Sequence, residues 1–145
     1  MRKRRSSAAD DDWYEREQLH FAAADGDCER VRELLAGGAD LGLFDDIGCT
    51  PLHYAIQNEH YAVARLLLAA GADINAHDDE RIGETPLGRV AAQCTPEMAE
   101  FLLANGANPR IPGWMQITAL DRAAKRSDEA GAAVYAILRA ASAGH

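Results

Sequence analysis

A chain of 145 residues with 48% hydrophobic content has room for one compact domain with a real core, which excludes disorder throughout. Twenty-three acidic against 15 basic side chains leave a formal charge of −8, and because Arg2, Lys3, Arg4 and Arg5 lie together at the start, the body is more acidic still. Such a surface disfavours nucleic acid and anionic membrane and suits a basic protein partner.

No apolar run approaches the ~18 residues that span a bilayer. The basic start runs into Ser6-Ser7-Ala8-Ala9 and then acids, so no secretory signal is expected. Cys28, Cys49 and Cys94 are odd in number with no close pair, which points away from a disulfide framework or zinc site and toward a reducing, cytoplasmic setting.

Residues 1–9 read as a disordered basic tail, or in a eukaryotic protein as a nuclear address or nucleic-acid contact. Asp10, Asp11 and Asp12 favour a helix N-terminus by capping and by complementing the dipole, with Trp13, Leu19 and Ala23 as spaced apolar positions. Gly26-Asp27 breaks that helix, and a second is predicted from Cys28 to Ala36, with Val31, Leu34 and Leu35 on one side and Gly37-Gly38 as its stop.

A polar connection through Asp45, Asp46 and Gly48 leads to helices over Pro51–Gln57 and Tyr61–Ala70, the latter with Val63, Leu66, Leu67 and Leu68 apolar. After Gly71 and a longer loop around Asp78-Asp79, helices are expected from Thr85 to Gln93 and from Pro96 to Ala104, where Met98, Phe101, Leu102 and Leu103 are apolar. A last pair begins at Thr118 and at Ser127-Asp128-Glu129, with Val134, Tyr135, Ile137 and Leu138 available for packing.

The stretch Thr50-Pro51-Leu52-His53 sets the phase of all of this. Threonine caps a helix, proline suits the first helical position and leucine faces the core. Thr85-Pro86-Leu87-Gly88, Thr118-Ala119-Leu120-Asp121 and a degenerate Glu17-Gln18-Leu19-His20 repeat it, so the leucines step by 33, 35 and 33 residues. That is a solenoid period: no single unit buries its own apolar face, stacking does, and atypical end units act as caps.

In one unit, Gly48, Thr50, Pro51, Leu52, His53, Ala55, His60, Val63, Leu67, Leu68, Gly71, Ala72, Asp73 and Asn75 resemble the ankyrin repeat family, and partial copies cover about residues 17–126. The resemblance implies an all-α solenoid of helix pairs with β-turn fingers, with units near 10–44, 45–77, 78–112 and 113–145. Gly88 stands where the motif has histidine, and Ala119 and Asp121 replace its proline and histidine, which is expected to weaken the ties between neighbouring units. The resemblance also implies a protein-binding scaffold that holds its partner with finger tips and the concave helices. Projected here, that footprint selects Phe44, Asp46, Ile47, Cys49, Gln57 and Asn58, then His77, Arg81, Ile82, Glu84 and Gln93, and lastly Trp114, Met115, Ile117, Lys125 and Arg126.

Trp114-Met115 is the most telling pair, because a turn tip has nothing to bury it; either a partner covers it or Trp114 folds back over the end of the stack. Asp45, Asp46, Asp78, Asp79, Glu80 and Glu84 are expected to form an acidic rim for an Arg- or Lys-rich partner. The resemblance also implies that His20 and His53, at the motif's histidine position, tie units together by hydrogen bonds. Cys49 has no neighbouring base to activate it. Neither a nucleophile elbow, a calcium loop nor a phosphate-cradling glycine loop is present in the sequence. The expected function is therefore non-catalytic, without cofactor, metal or small-molecule substrate. It is the inhibition or neutralisation of one protein partner, with an adaptor addressed by its Arg-rich tail and an immunity protein against a basic toxin as alternatives.

Overall fold

Three of the four inner helices begin at a threonine, Thr50, Thr85 or Thr118, and this repeated start builds the molecule from antiparallel helix pairs. The computed structural model describes residues 17–78 and 83–143. The expected basic tail at 1–9, the helix start at Asp10–Asp12 and the finger residues Asp79, Glu80, Arg81 and Ile82 lie outside the described residues. Eight α-helices are described: α1 (Gln18–Asp25), α2 (Cys28–Ala36), α3 (Pro51–Gln57), α4 (Tyr61–Ala69), α5 (Pro86–Val90), α6 (Pro96–Ala104), α7 (Ala119–Ala124) and α8 (Glu129–Ala143), with a single 3-10 turn at Trp114–Gln116. No strand occurs among the described residues.

The helices form two layers. Inner helices stack in the order α1, α3, α5, α7, and outer helices lean on them, α2 beside α4 and α8 against α6. Leu19, Leu52 and Leu87, one from each of the first three units, are fully buried between the layers. On the outer helices the i, i+4 pairs Val63/Leu67, Met98/Leu102 and Val134/Leu138 face the same core. Tyr61 and Phe101 join α4 to α6 edge-to-face at 5.2 Å between ring centroids.

Helix bounds follow their caps. Asp27 accepts from the Arg30 N–H at 3.0 Å and Thr95 from the Met98 N–H at 3.1 Å, starting α2 and α6 at the expected residues. Pro51, Pro86 and Pro96 occupy first-turn positions that need no N–H. Helix α5 is shorter than expected: it ends at Val90, and residues 91–93 continue as a turn. Gly88 in its centre weakens helix propagation.

Histidine ties hold the first units in register. His20 Nε2 donates to the Leu43 and Cys49 carbonyls at 2.9 and 3.0 Å. His53 accepts the Thr50 N–H at Nδ1 (3.0 Å) and donates from Nε2 to the Glu84 carbonyl at 2.6 Å, so a single ring caps α3 and reaches the next finger. Where Gly88 replaces the histidine, the tie is made differently: the Glu84 carboxylate lies over Gly88, pairing with Arg122 of α7. Asp121 keeps only the capping half, accepting the Thr118 N–H at 3.0 Å. The tie expected to weaken is thus replaced by an ion pair.

Candidate partner-binding face

Two described fingers close with the same backbone geometry. In the first, the Asp45 N–H donates to the Cys49 carbonyl at 2.9 Å and the Gly48 N–H to the Asp45 carbonyl at 3.0 Å. In the third, the Gly113 N–H donates to the Ile117 carbonyl at 2.9 Å and the Gln116 N–H to the Gly113 carbonyl at 3.0 Å. The residue two before each threonine has positive φ: Gly48 at 80°, Gly83 at 59° and Gln116 at 63°. Only the third finger puts a side chain on that left-handed backbone, and Met115 beside it is also positive, at 59°.

The tip of this strained turn is the most exposed apolar feature among the described residues. Trp114 is 55% and Met115 69% exposed, while Ile47 on the first finger is 44% exposed. Trp114 does not fold back over the end of the stack. Ile117, at the base of the turn, is half-buried.

Several residues expected to face a partner serve inside the scaffold instead. Cys49 is 1% exposed; its N–H donates to Asp45 and its carbonyl accepts from His20, and burial pushes its thiol up to about 11, so it offers neither contact nor nucleophile. Glu84 points inward to Arg122 rather than along an acidic rim. Arg126 is drawn under α8, donating to the Cys94 carbonyl at 2.8 Å and to Asp128 through Nε and Nη2 at 3.0 and 2.7 Å. Asn58 is exposed, but its amide donates to the Ala24 carbonyl at 3.0 Å.

Asp45, expected on the acidic rim, also turns inward. It accepts from the Ile47 and Cys49 N–H groups at 3.1 and 2.9 Å and from the Tyr54 hydroxyl. Burial opposes its charge, yet these donors together hold the carboxyl below its usual range. The Tyr54 hydroxyl is pushed up by burial and by that carboxylate. One carboxylate thus braces the first finger from within, leaving Asp46 and Ile47 exposed.

Of the remaining expected residues, Gln57, Gln93 and Lys125 are exposed, with Gln57 accepting from Arg89 Nε at 2.6 Å. Phe44 and His77 are half-buried and lie together with Leu41, Gly42, Thr50, Asp73, Asn75 and Ala76 around a cavity of about 350 Å³. This cavity was not expected.

A ladder on the concave helices also escaped sequence reasoning, although its signal was available. Phe21, Tyr54, Arg89 and Arg122 each sit one residue past the fourth motif position, spaced 33, 35 and 33 apart. The ladder runs from aromatic to basic along the stack. Among the described residues no cluster of three or more histidine, cysteine or acidic side chains could hold a metal ion.

Stacked helix pairs bearing rigid turns and a concave polar face define a helical-repeat recognition scaffold. The family comparison agrees in detail: a model of ankyrin repeats in three copies matches residues 6–78, and a second, of ankyrin repeats in many copies, matches residues 58–103. The chain belongs to the ankyrin repeat family, whose domains are protein–protein interaction modules and are generally non-catalytic. No curated protein matches it. No helix among the described residues is long and apolar enough to cross a membrane.

Proposed function

We propose that this chain captures one protein partner on its finger and concave side and thereby inhibits or neutralises it. The observation that carries this reading is the exposed Trp114-Met115 pair, held out on a turn whose backbone costs free energy to form. A wide apolar side chain presented rigidly is the usual form of a binding hot spot, and ordering it in advance lowers the entropy lost on association. Asp46, Ile47, Gln57, Asn58, Gln93, Lys125 and the half-buried Phe44, His77 and Ile117 belong to the same footprint. Cys49, Glu84 and Arg126 act on it indirectly, by fixing the scaffold.

The acidic body suits a basic partner, and an immunity protein that covers a basic toxin is the narrower form of this reading. The Arg2–Arg5 run favours a second one, in which the array is an adaptor and the tail is its address. Removing residues 2–5 separates them: an inhibitor keeps its effect on the partner, whereas an adaptor loses its place in the cell. Capture of the partner with the purified chain, followed by calorimetry with Trp114→Ala, tests the footprint. The expected loss is about 2 kcal/mol, roughly 30-fold in Kd. Unchanged affinity in a variant with an intact circular dichroism spectrum would remove Trp114 from the interface.

A further inference from the structure

The cavity beside Phe44 has an origin that can be read from the neighbouring step of the stack. Each return loop makes the same turn: Asp40 accepts the Gly42 N–H at 2.9 Å, Asp73 the Asn75 N–H at 2.9 Å, and Asn108 the Arg110 N–H at 2.9 Å. Between the second and third loops, Asn75 forms a bridge, donating to the Gly106 carbonyl at 3.1 Å and accepting the Asn108 N–H at 2.8 Å. The residue in register with Asn75 one unit earlier is Gly42. It has no side chain to cross the gap, and the cavity lies there, lined by Gly42, Phe44 and Asp73 among others.

The chemistry of that gap selects a cation. Asp73, whose carboxylate also accepts the Asn75 N–H, and the aromatic Phe44 are among the lining residues, and a Cβ at Gly42 would stand 3.6 Å from Asp40 Oδ1. No lysine or arginine is among the described residues that line it. A planar guanidinium can meet a carboxylate through two parallel N–H groups and lie against an aromatic face.

We infer that this cavity is a socket for an arginine side chain of the partner, occupying the space that an asparagine at position 42 would fill. The inference specifies the chemistry of the partner proposed above. Its test needs neither that partner nor Trp114, so the two can fail separately.

N-acetyl-arginine methylamide is titrated into the ¹⁵N-labelled full chain at low salt, with the citrulline analogue as an uncharged isostere. Saturable shifts confined to the amides of Gly42, Phe44 and Asp73–His77 are expected with arginine and not with citrulline. Two variants should abolish them or weaken binding about fivefold or more. Gly42→Asn fills the socket, and position 42 is not among the positive-φ glycines, so a side chain is tolerated there. Asp73→Asn removes the charge while keeping the loop turn, since Asn108 makes that turn in the next unit. Equal response to citrulline, shifts scattered over other acidic surfaces, or undiminished binding by either folded variant would overturn the assignment.

Discussion

At the scale of single residues, two positions hold conformations whose cost can be weighed. His53 is buried with Nδ1 accepting the Thr50 N–H, so a proton there would face a donor and break the cap of α3. Burial lowers its pKa to about 4, against an ordinary value of 6.5. With the folded pKa depressed, the unfolded chain binds the extra proton first. The contribution is therefore complete above pH 6.5 and is lost as pH falls toward 4. Urea unfolding should show about 2 kcal/mol less stability from this site at pH 5 than at pH 7. A His53→Gln chain should lack that component, and an equal pH dependence in both proteins would rule it out. Gln116 is the second position. Left-handed backbone costs a side-chain-bearing residue about 1–2 kcal/mol, against roughly 0.5–1 kcal/mol of entropy lost by glycine. Gln116→Gly, which restores the residue found at Gly48 and Gly83, should thus raise stability by about 0.5–1 kcal/mol. A lowered melting temperature would show that the turn is not strained as its φ of 63° implies.

At the scale of the element, the question is what joins α5 to α7 once the motif histidine is gone. A Cβ at Gly88 would stand 3.1 Å from Glu84 Oε1, so glycine there and the inward carboxylate belong to one arrangement. Burial raises the Glu84 pKa, and attraction to Arg122 and Arg89 offsets this only in part. A raised folded pKa means that this group's stabilisation is complete below the unfolded value and is lost as pH rises through the folded one. At neutral pH the charged pair is therefore an expensive tie. Either Glu84→Met or Arg122→Leu alone should destabilise by about 1–3 kcal/mol, by stranding the other charge, while the double variant should lie within about 1 kcal/mol of the parent. Additive losses in the double-mutant cycle would contradict this. The same element marks how far sequence reasoning reaches. Caps and apolar spacing are local, so α2 and α6 were legible to the residue at both ends. The family of the fold was legible from the leucine period. Whether Cys49, Glu84 or Arg126 points outward depends on groups 29 to 38 residues away, as their hydrogen bonds to His20, Arg122 and Cys94 show, and no local pattern encodes that. Gly42 was an ordinary loop glycine until its register with Asn75 was known.

Across the whole molecule the ties change character along the stack. The first step is joined by side chains that donate to backbone carbonyls, with His20 reaching Leu43 and Cys49 while Asn58 and His60 reach Ala24. The second adds the Asn75 bridge to His53. The third depends on Arg122 with Glu84 and on Arg126 with the Ala91 and Cys94 carbonyls, so its strength comes from charges withdrawn from water. In a one-dimensional array each unit is stabilised only by its neighbours, and a unit joined at desolvation cost opens first. Native-state hydrogen exchange should therefore find α7 and α8 opening together at a lower free energy than α3 and α4, and with a smaller urea dependence. The Trp114 finger lies between α6 and α7, so a partner that grips it must also restrain the weakest unit. Bound partner should thus slow exchange in α7 and α8 beyond the amides that it covers. Identical opening free energies for α3 and α8 in the free chain would show a single cooperative unit and remove this coupling. Faster exchange in α7 on binding would place the partner elsewhere on the scaffold.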